Sequence, residues 1–134
     1  MNRRVEVIKI ELAKRNIEGM IINNPKNVSF IIGFDVEGTF LICQNANYLI
    51  IDQKYLEEVN SKILIDDEIT ILEQETLTDN DYLEFFNNIS RVGFEENYIT
   101  YADYTKMLRR YRIKEPLETE NIIERIIETR KDLQ

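Results

Sequence analysis

The chain has 134 residues, 43% hydrophobic and 31% charged, with four Gly and two Pro. That length suits about one domain with a buried core, and that composition excludes collagen-like, low-complexity and disordered classes. Seventeen Lys and Arg stand against 25 Asp and Glu, a formal charge of -8, and there is no histidine and one cysteine. The average surface therefore repels phosphate backbones and anionic headgroups, so neither nucleic acid nor a membrane is an expected partner. Imidazole-based nucleophile activation, His-ligated zinc, internal disulfides and thiolate cages are excluded, and the cytoplasm is the expected compartment.

Val5, Ile8 and Leu12 recur at helical spacing between Arg3 and Arg15, with Lys9, Glu11, Lys14 and Arg15 largely off that stripe, which predicts an amphipathic opening helix. Charges at Glu6, Lys9 and Glu11 interrupt the stretch after the basic N-terminus, so there is no signal-peptide core. No other apolar run approaches the roughly 18 residues of a membrane span.

Asn16 and Gly19 punctuate, and Met20-Ile21-Ile22, closed by Asn23-Asn24-Pro25, reads as a strand buried on both faces. Asn27 is placed as the cap of a short helical turn through Phe30 and Ile31, which Gly33 stops. Thr39 to Cys43 and Tyr48 to Ile51, joined by Gln44-Asn45-Ala46-Asn47, read as an antiparallel hairpin.

Asp52 is placed to cap a helix carrying Tyr55, Leu56 and Val59. Ile63-Leu64-Ile65 and Ile69 to Leu72 read as strand segments around Asp66-Asp67-Glu68. Thr78 or Asp79 opens a helix through Tyr82, Leu83, Phe85, Phe86 and Ile89, and Arg91 to Phe94 reads as another strand. Thr100 to Asp103 has the form of a capping box, after which Tyr101, Tyr104, Leu108 and Tyr111 share one helical face. Ile113 to Leu117 bends at Pro116. The last helix starts at about Thr119 and aligns Ile122, Ile123, Ile126 and Ile127, with no Gly or Pro to end it before Gln134. Helices alternating with strands, with one hairpin among them, predict an α/β fold: a mixed β-sheet of about five to six strands flanked by helices on both faces.

Phosphate cradles need clustered glycines, and Gly19, Gly33, Gly38 and Gly93 are scattered. Gly33 and Gly38 bracket Phe34-Asp35-Val36-Glu37, which reads either as a plain connection or as a ligand-facing flap. Asp66-Asp67-Glu68, Asp79-Asn80-Asp81 and Glu95-Glu96 match no calcium loop and read as solvated turns and caps. The tyrosine face reads as core packing, because stacking platforms for nucleic acid accompany basic grooves. Cys43, inside an apolar strand without a basic neighbour, reads as a small inert hydrophobe. No catalytic, cofactor-binding or metal-ligating residue is assigned.

Asn24-Pro25-Lys26-Asn27-Val28-Ser29-Phe30-Ile31-Ile32-Gly33-Phe34 resembles the N-P-x-N-I/V-x-Y/F-L-T/S-G-F signature of the N-terminal domain shared by creatinase, prolidase and Xaa-Pro aminopeptidases. Asp52-Gln53-Lys54-Tyr55 resembles that family's D-x-R-Y, with Lys54 at its Arg. Gly93-Phe94-Glu95 followed by Thr100-Tyr101 and Tyr104 resembles its G-x-E and T/S-Y element, and Ile122 to Asp132 resembles its closing helix. The resemblance spans nearly the whole chain and marks Asn24, Pro25, Asn27, Gly33, Phe34, Asp52, Tyr55, Gly93 and Glu95 as motif positions.

The resemblance implies that residues 1–134 form a single non-catalytic domain. The catalytic domain of the pita-bread fold, absent from this chain, would follow in the same polypeptide and hold two divalent ions (Mn, Co or Zn) on Asp, His and Glu side chains. It further implies a homodimer of a cytoplasmic Xaa-Pro dipeptidase or aminopeptidase, with the loop after G-F, here Phe34, Asp35, Val36 and Glu37, narrowing entry for a proline-containing peptide. An aromatic ring there suits a proline ring, a carboxylate suits a free α-amino group, and obstruction excludes longer peptides. The alternative is a free-standing α/β interaction or small-ligand module with no enzyme attached.

Overall fold

The computed structural model describes residues 2–63 and 68–134. Asn2 accepts from the Val5 amide at 3.0 Å and opens α1 (Arg3–Lys14), whose Val5, Ile8 and Leu12 are buried as the spacing predicts. All four residues of β1 (Gly19–Ile22) are buried. The next helix, α2 (Pro25–Ile32), begins earlier than expected: Asn24, not Asn27, is its cap, because an Asn followed by Pro at the first helical position supplies both the side-chain acceptor and a pre-set φ. Asn27 therefore lands inside the first turn and points inward. Gly33 ends α2 at φ 98°, a left-handed conformation that suits glycine.

The hairpin forms as expected from β2 (Thr39–Ile42) and β3 (Asn47–Ile51), with Leu41 opposite Tyr48. Asp52 caps a 3-10 turn, Gln53–Tyr55, that leads into α3 (Leu56–Lys62). Of the strand expected at Ile63-Leu64-Ile65, Ile63 closes α3 in extended conformation, while Leu64, Ile65 and the acidic pair Asp66-Asp67 lie outside the described residues. β4 (Ile69–Glu73) follows.

Thr78 opens α4 (Asp79–Glu84) through a full capping box with Asp81. This helix stops short of Ile89, because residues 85–88 turn at Asn87-Asn88, poor helix formers; Phe86 and Ile89 are still buried. β5 (Arg91–Phe94) precedes α5 (Tyr101–Tyr111), where the Thr100 hydroxyl accepts from Asp103. Pro116 does not bend a loop but sits in β6 (Glu115–Glu118), an edge strand where a missing N–H is tolerated. α6 (Ile122–Thr129) starts after Thr119 and ends before the terminus, at Arg130, with a 3-10 turn over Lys131–Leu133.

The six strands form one sheet in the order β4-β3-β2-β1-β5-β6, in which β1–β2 and β2–β3 are antiparallel and the other pairs parallel. The expected α/β mixed sheet is therefore present. Period-2 alternation sends Met20, Ile22, Phe40, Ile42, Leu49 and Ile51 into a core with α1, α2, α3 and α6. Ile21, Leu41, Cys43, Ile50 and Val92 enter a second core under α4 and α5. Each fully buried aliphatic contributes about 2 kcal/mol, so these two layers fix the helices on the sheet.

The tyrosine face divides. Tyr111 is buried and meets Tyr82 edge-on at 5.5 Å, and Tyr104 is half-buried against Phe94. Tyr101, expected in the core, is 84% exposed: it is the first residue of α5 and lies off the arc through Met107 and Tyr111 that faces the sheet. Cys43 is buried as expected, and burial pushes its thiol up to about 12.

Candidate functional site

β1 and β5 run parallel, so their C-terminal ends lie together and bring Asn23-Asn24 against Glu95. One carboxylate oxygen of Glu95 accepts from the Asn23 and Asn24 amides at 2.6 and 2.8 Å, and the other accepts from the Asn27 side-chain amide at 2.7 Å. Asn27 Nδ2 also donates to Glu124 on α6 at 3.1 Å. Glu95 is 7% exposed and Asn27 1%. Burial pushes the Glu95 carboxyl above the usual carboxylate range, against these hydrogen bonds, and the nearby Glu124 charge adds to the rise. With its oxygens engaged by three donors, Glu95 serves as an anchor for the start of α2 rather than as an exposed base.

Gly93 belongs to the same region. A Cβ there would stand 2.6 Å from the Thr119 methyl, and the Thr119 hydroxyl donates to the Phe94 carbonyl at 3.1 Å. The glycine thus admits the turn before α6 close to the strand. Asn24, Asn27, Gly93 and Glu95 act in one framework that joins α2, β5 and the start of α6.

On the first-core side, Gly33 releases the segment Phe34, Asp35, Val36 and Glu37 across the end of α2. Ser29 pins it, its hydroxyl accepting from the Val36 amide at 3.1 Å and donating to the Val36 carbonyl at 3.3 Å. Val36 is consequently buried, so the loop presents a half-buried Phe34 and exposed Asp35 and Glu37. These three line an open groove of about 650 Å³, with Phe30, Tyr55 and Ile127 among its apolar lining. Lys62 Nζ lies 5.4 Å from the Phe34 ring centroid and Lys54 Nζ 5.2 Å from that of Tyr55, geometries that favour a cation over an aromatic face. Asp52 stays outside the groove, its carboxylate accepting from the Lys54 amide at 2.9 Å.

The structure therefore brings Phe34, Asp35, Val36, Glu37, Tyr55 and Pro25 together on one groove and leaves Asn27, Gly93 and Glu95 inside the protein. Sequence reasoning missed Ser29, Phe30, Glu58, Val59 and Ile127. Glu58 and Val59 come three and four residues after Tyr55 and were accessible from helical spacing. Arg4 was also missed: its guanidinium lies 4.6 Å from the Phe30 ring centroid and donates to the Phe30 carbonyl and, at 2.7 Å, to the Leu133 carbonyl. It ties Phe30, in the groove's lining, to the C-terminal turn.

Metal chemistry needs converging donors, and among the described residues no three His, Cys, Asp or Glu side chains are placed to hold an ion. The described residues do not fit a metal pair. Among the described residues no helix is long and apolar enough to cross a membrane.

No curated protein matches the sequence. Among solved structures, an Xaa-Pro dipeptidase from Bacillus anthracis superposes with a TM-score of 0.77 at 19% identity over 92% of this chain, which spans only 34% of that protein. The Xaa-Pro aminopeptidase (aminopeptidase P) chain from Streptococcus thermophilus matches with a TM-score of 0.78 at 17% identity, covering 93% of this chain and 96% of its own. The N-terminal domain of the cytoplasmic peptidase PepQ from Mycobacterium tuberculosis matches with a TM-score of 0.79 at 17% identity, covering 94% of this chain and 99% of its own. Those likenesses establish the fold. The family model for the Creatinase/Prolidase N-terminal domain matches residues 4–126, and the chain belongs to that family.

Proposed function

We propose that this chain is the non-catalytic N-terminal domain of a cytoplasmic Xaa-Pro dipeptidase or aminopeptidase and that it shapes access to an active site held by a separate catalytic domain. The observation that carries this reading is the groove that Phe34, Asp35 and Glu37, on a loop fixed by Ser29, line together with Tyr55. An aromatic pair suits a prolyl ring, and carboxylates in the same groove suit an α-amino group. A pinned loop obstructs longer peptides, which gives selectivity by exclusion as well as attraction.

In this reading the two divalent ions, Mn, Co or Zn, and their ligands belong to the catalytic domain of the same polypeptide, and two copies of this domain help form a homodimer. The chain alone contributes no hydrolytic group. The test is a hydrolysis assay of the purified chain with proline dipeptides, with and without manganese, beside a reading of the coding sequence past Gln134. The expected result is no turnover in either condition and a continuation with spaced Asp, Asp, His, Glu and Glu. Metal-dependent turnover by the chain alone would overturn the proposal, and a stop codon after Gln134 would favour the free-standing module.

A further inference from the structure

Four cations, Lys106, Arg109, Arg110 and Arg112, fall at the C-terminal end of α5. They line a hollow of about 370 Å³ against α4, facing a single carboxylate, Asp79. The chain carries 25 acidic side chains against 17 basic ones, yet among the described residues none of the four enters an ion pair. The helix macrodipole accounts for Arg109 and Arg110 in the last turn. It does not account for Lys106, one turn earlier, or for Arg112, past the end.

The side chain of Arg110 and the backbone of Arg112 are fixed by the fold. The Arg110 guanidinium lies 4.8 Å from the ring centroid of buried Tyr82, and Arg112 is the C-cap at φ 50°, a left-handed position usually given to glycine. Lys106 and Arg110 also face a second hollow of about 300 Å³, lined by Asn23 and Thr39 at the end of β1 and by the Asp103 carboxylate. The same two cations are thus shared by adjoining concavities on the face of the sheet opposite the Phe34 groove.

We propose that this hollow binds the phosphoryl group of a small phosphorylated molecule. Over the two hollows, four positive charges against the carboxylates of Asp79 and Asp103 leave a local excess of two, more than one carboxylate ligand neutralises. Planar guanidinium forks suit the several oxygens of a phosphoryl group, and the ammonium of Lys106 supplies a point charge beside them. The hollow takes a small group and leaves the adjoining one, with its polar Asn23 and Thr39, for the rest of the molecule.

Isothermal titration of the chain with pyrophosphate at fixed ionic strength tests this. Saturation at one site is expected, weakened at least tenfold by Lys106→Gln with Arg110→Gln and tightened at least twofold by Asp79→Asn. Lys14→Gln with Lys131→Gln removes the same charge elsewhere and is expected to change binding less than twofold. Circular-dichroism melts of each variant establish that the fold is kept. Absence of saturation in the wild type, equal weakening by the two double variants, or tighter binding of a phosphate-free acidic peptide than of pyrophosphate overturns the proposal.

Discussion

The Asn27 side-chain amide donates to the Glu95 carboxylate at 2.7 Å, joining residues 68 apart in sequence inside the protein. The pair exists because parallel β1 and β5 end side by side and because Asn24-Pro25 starts α2 early enough to turn Asn27 inward. Two positions of the family signature are thereby explained as framework: they orient the helix that ends at the Phe34 loop.

Removing the acceptor is the severe lesion. Glu95→Ala leaves the Asn23 and Asn24 amides and the Asn27 side chain without their partner, and is expected to destabilise the fold by about 3 kcal/mol in denaturant titration. Asn27→Ala is expected to be milder, about 1 to 2 kcal/mol, and the double variant to fall short of the sum because the two residues share one network.

The pH dependence comes from the direction of the Glu95 shift. Burial is its largest cause and raises the carboxyl above its ordinary 4.5. Stability from such a group is fully present below 4.5 and is lost as pH rises through the folded-state value. The stability of the wild type relative to Glu95→Gln is therefore expected to fall as pH rises above about 4.5. A difference that instead grows with pH would show that the three hydrogen bonds outweigh burial.

The two motif glycines answer to different physics. Gly33 sits at φ 98° with open space around it, so Gly33→Ala is expected to cost about 1 kcal/mol from backbone conformation alone. Gly93→Ala drives a methyl to 2.6 Å from the Thr119 methyl and is expected to cost about 2 kcal/mol. Adding Thr119→Ser removes that methyl while keeping the hydroxyl bond to Phe94, and is expected to restore part of the loss, read as a rise in Tm.

Cys43 tests the second core. A thiol pushed up to about 12 by burial has only about one part in ten thousand ionised at pH 8. Labelling with an aromatic disulfide reagent is expected to be negligible in native buffer and stoichiometric in denaturant. Rapid native labelling would show that the layer of α4 and α5 opens readily.

Much of the fold was legible in the residues. Continuous apolar Met20-Ile21-Ile22, the polar four-residue hairpin connection and the Thr78 cap each state their element locally. Pro116 hid β6, since edge-strand tolerance of proline depends on a neighbour, β5, that local sequence does not display. Asn27 was misplaced because Asn24 and Asn27 are both good caps and only the intervening Pro25 decides between them. Tyr101 shares the helical stripe on paper but begins α5, off the arc that meets the sheet. The loop Phe34 to Glu37 was visible between its glycines, whereas Ile127 joins the groove's lining, and Arg4 holds Phe30 there, from distant segments.

Peptide-length selectivity bears most directly on the gating role. In the proposed enzyme joining this domain to a catalytic domain, kcat/KM would be compared for a Xaa-Pro dipeptide and a longer Xaa-Pro peptide, in wild type and in Phe34→Ala with Asp35→Asn and Glu37→Gln. The ratio favouring the dipeptide is expected to fall about tenfold, a change of about 1.4 kcal/mol. Equal changes for both peptides, or none for either, would contradict a role for this groove in substrate entry.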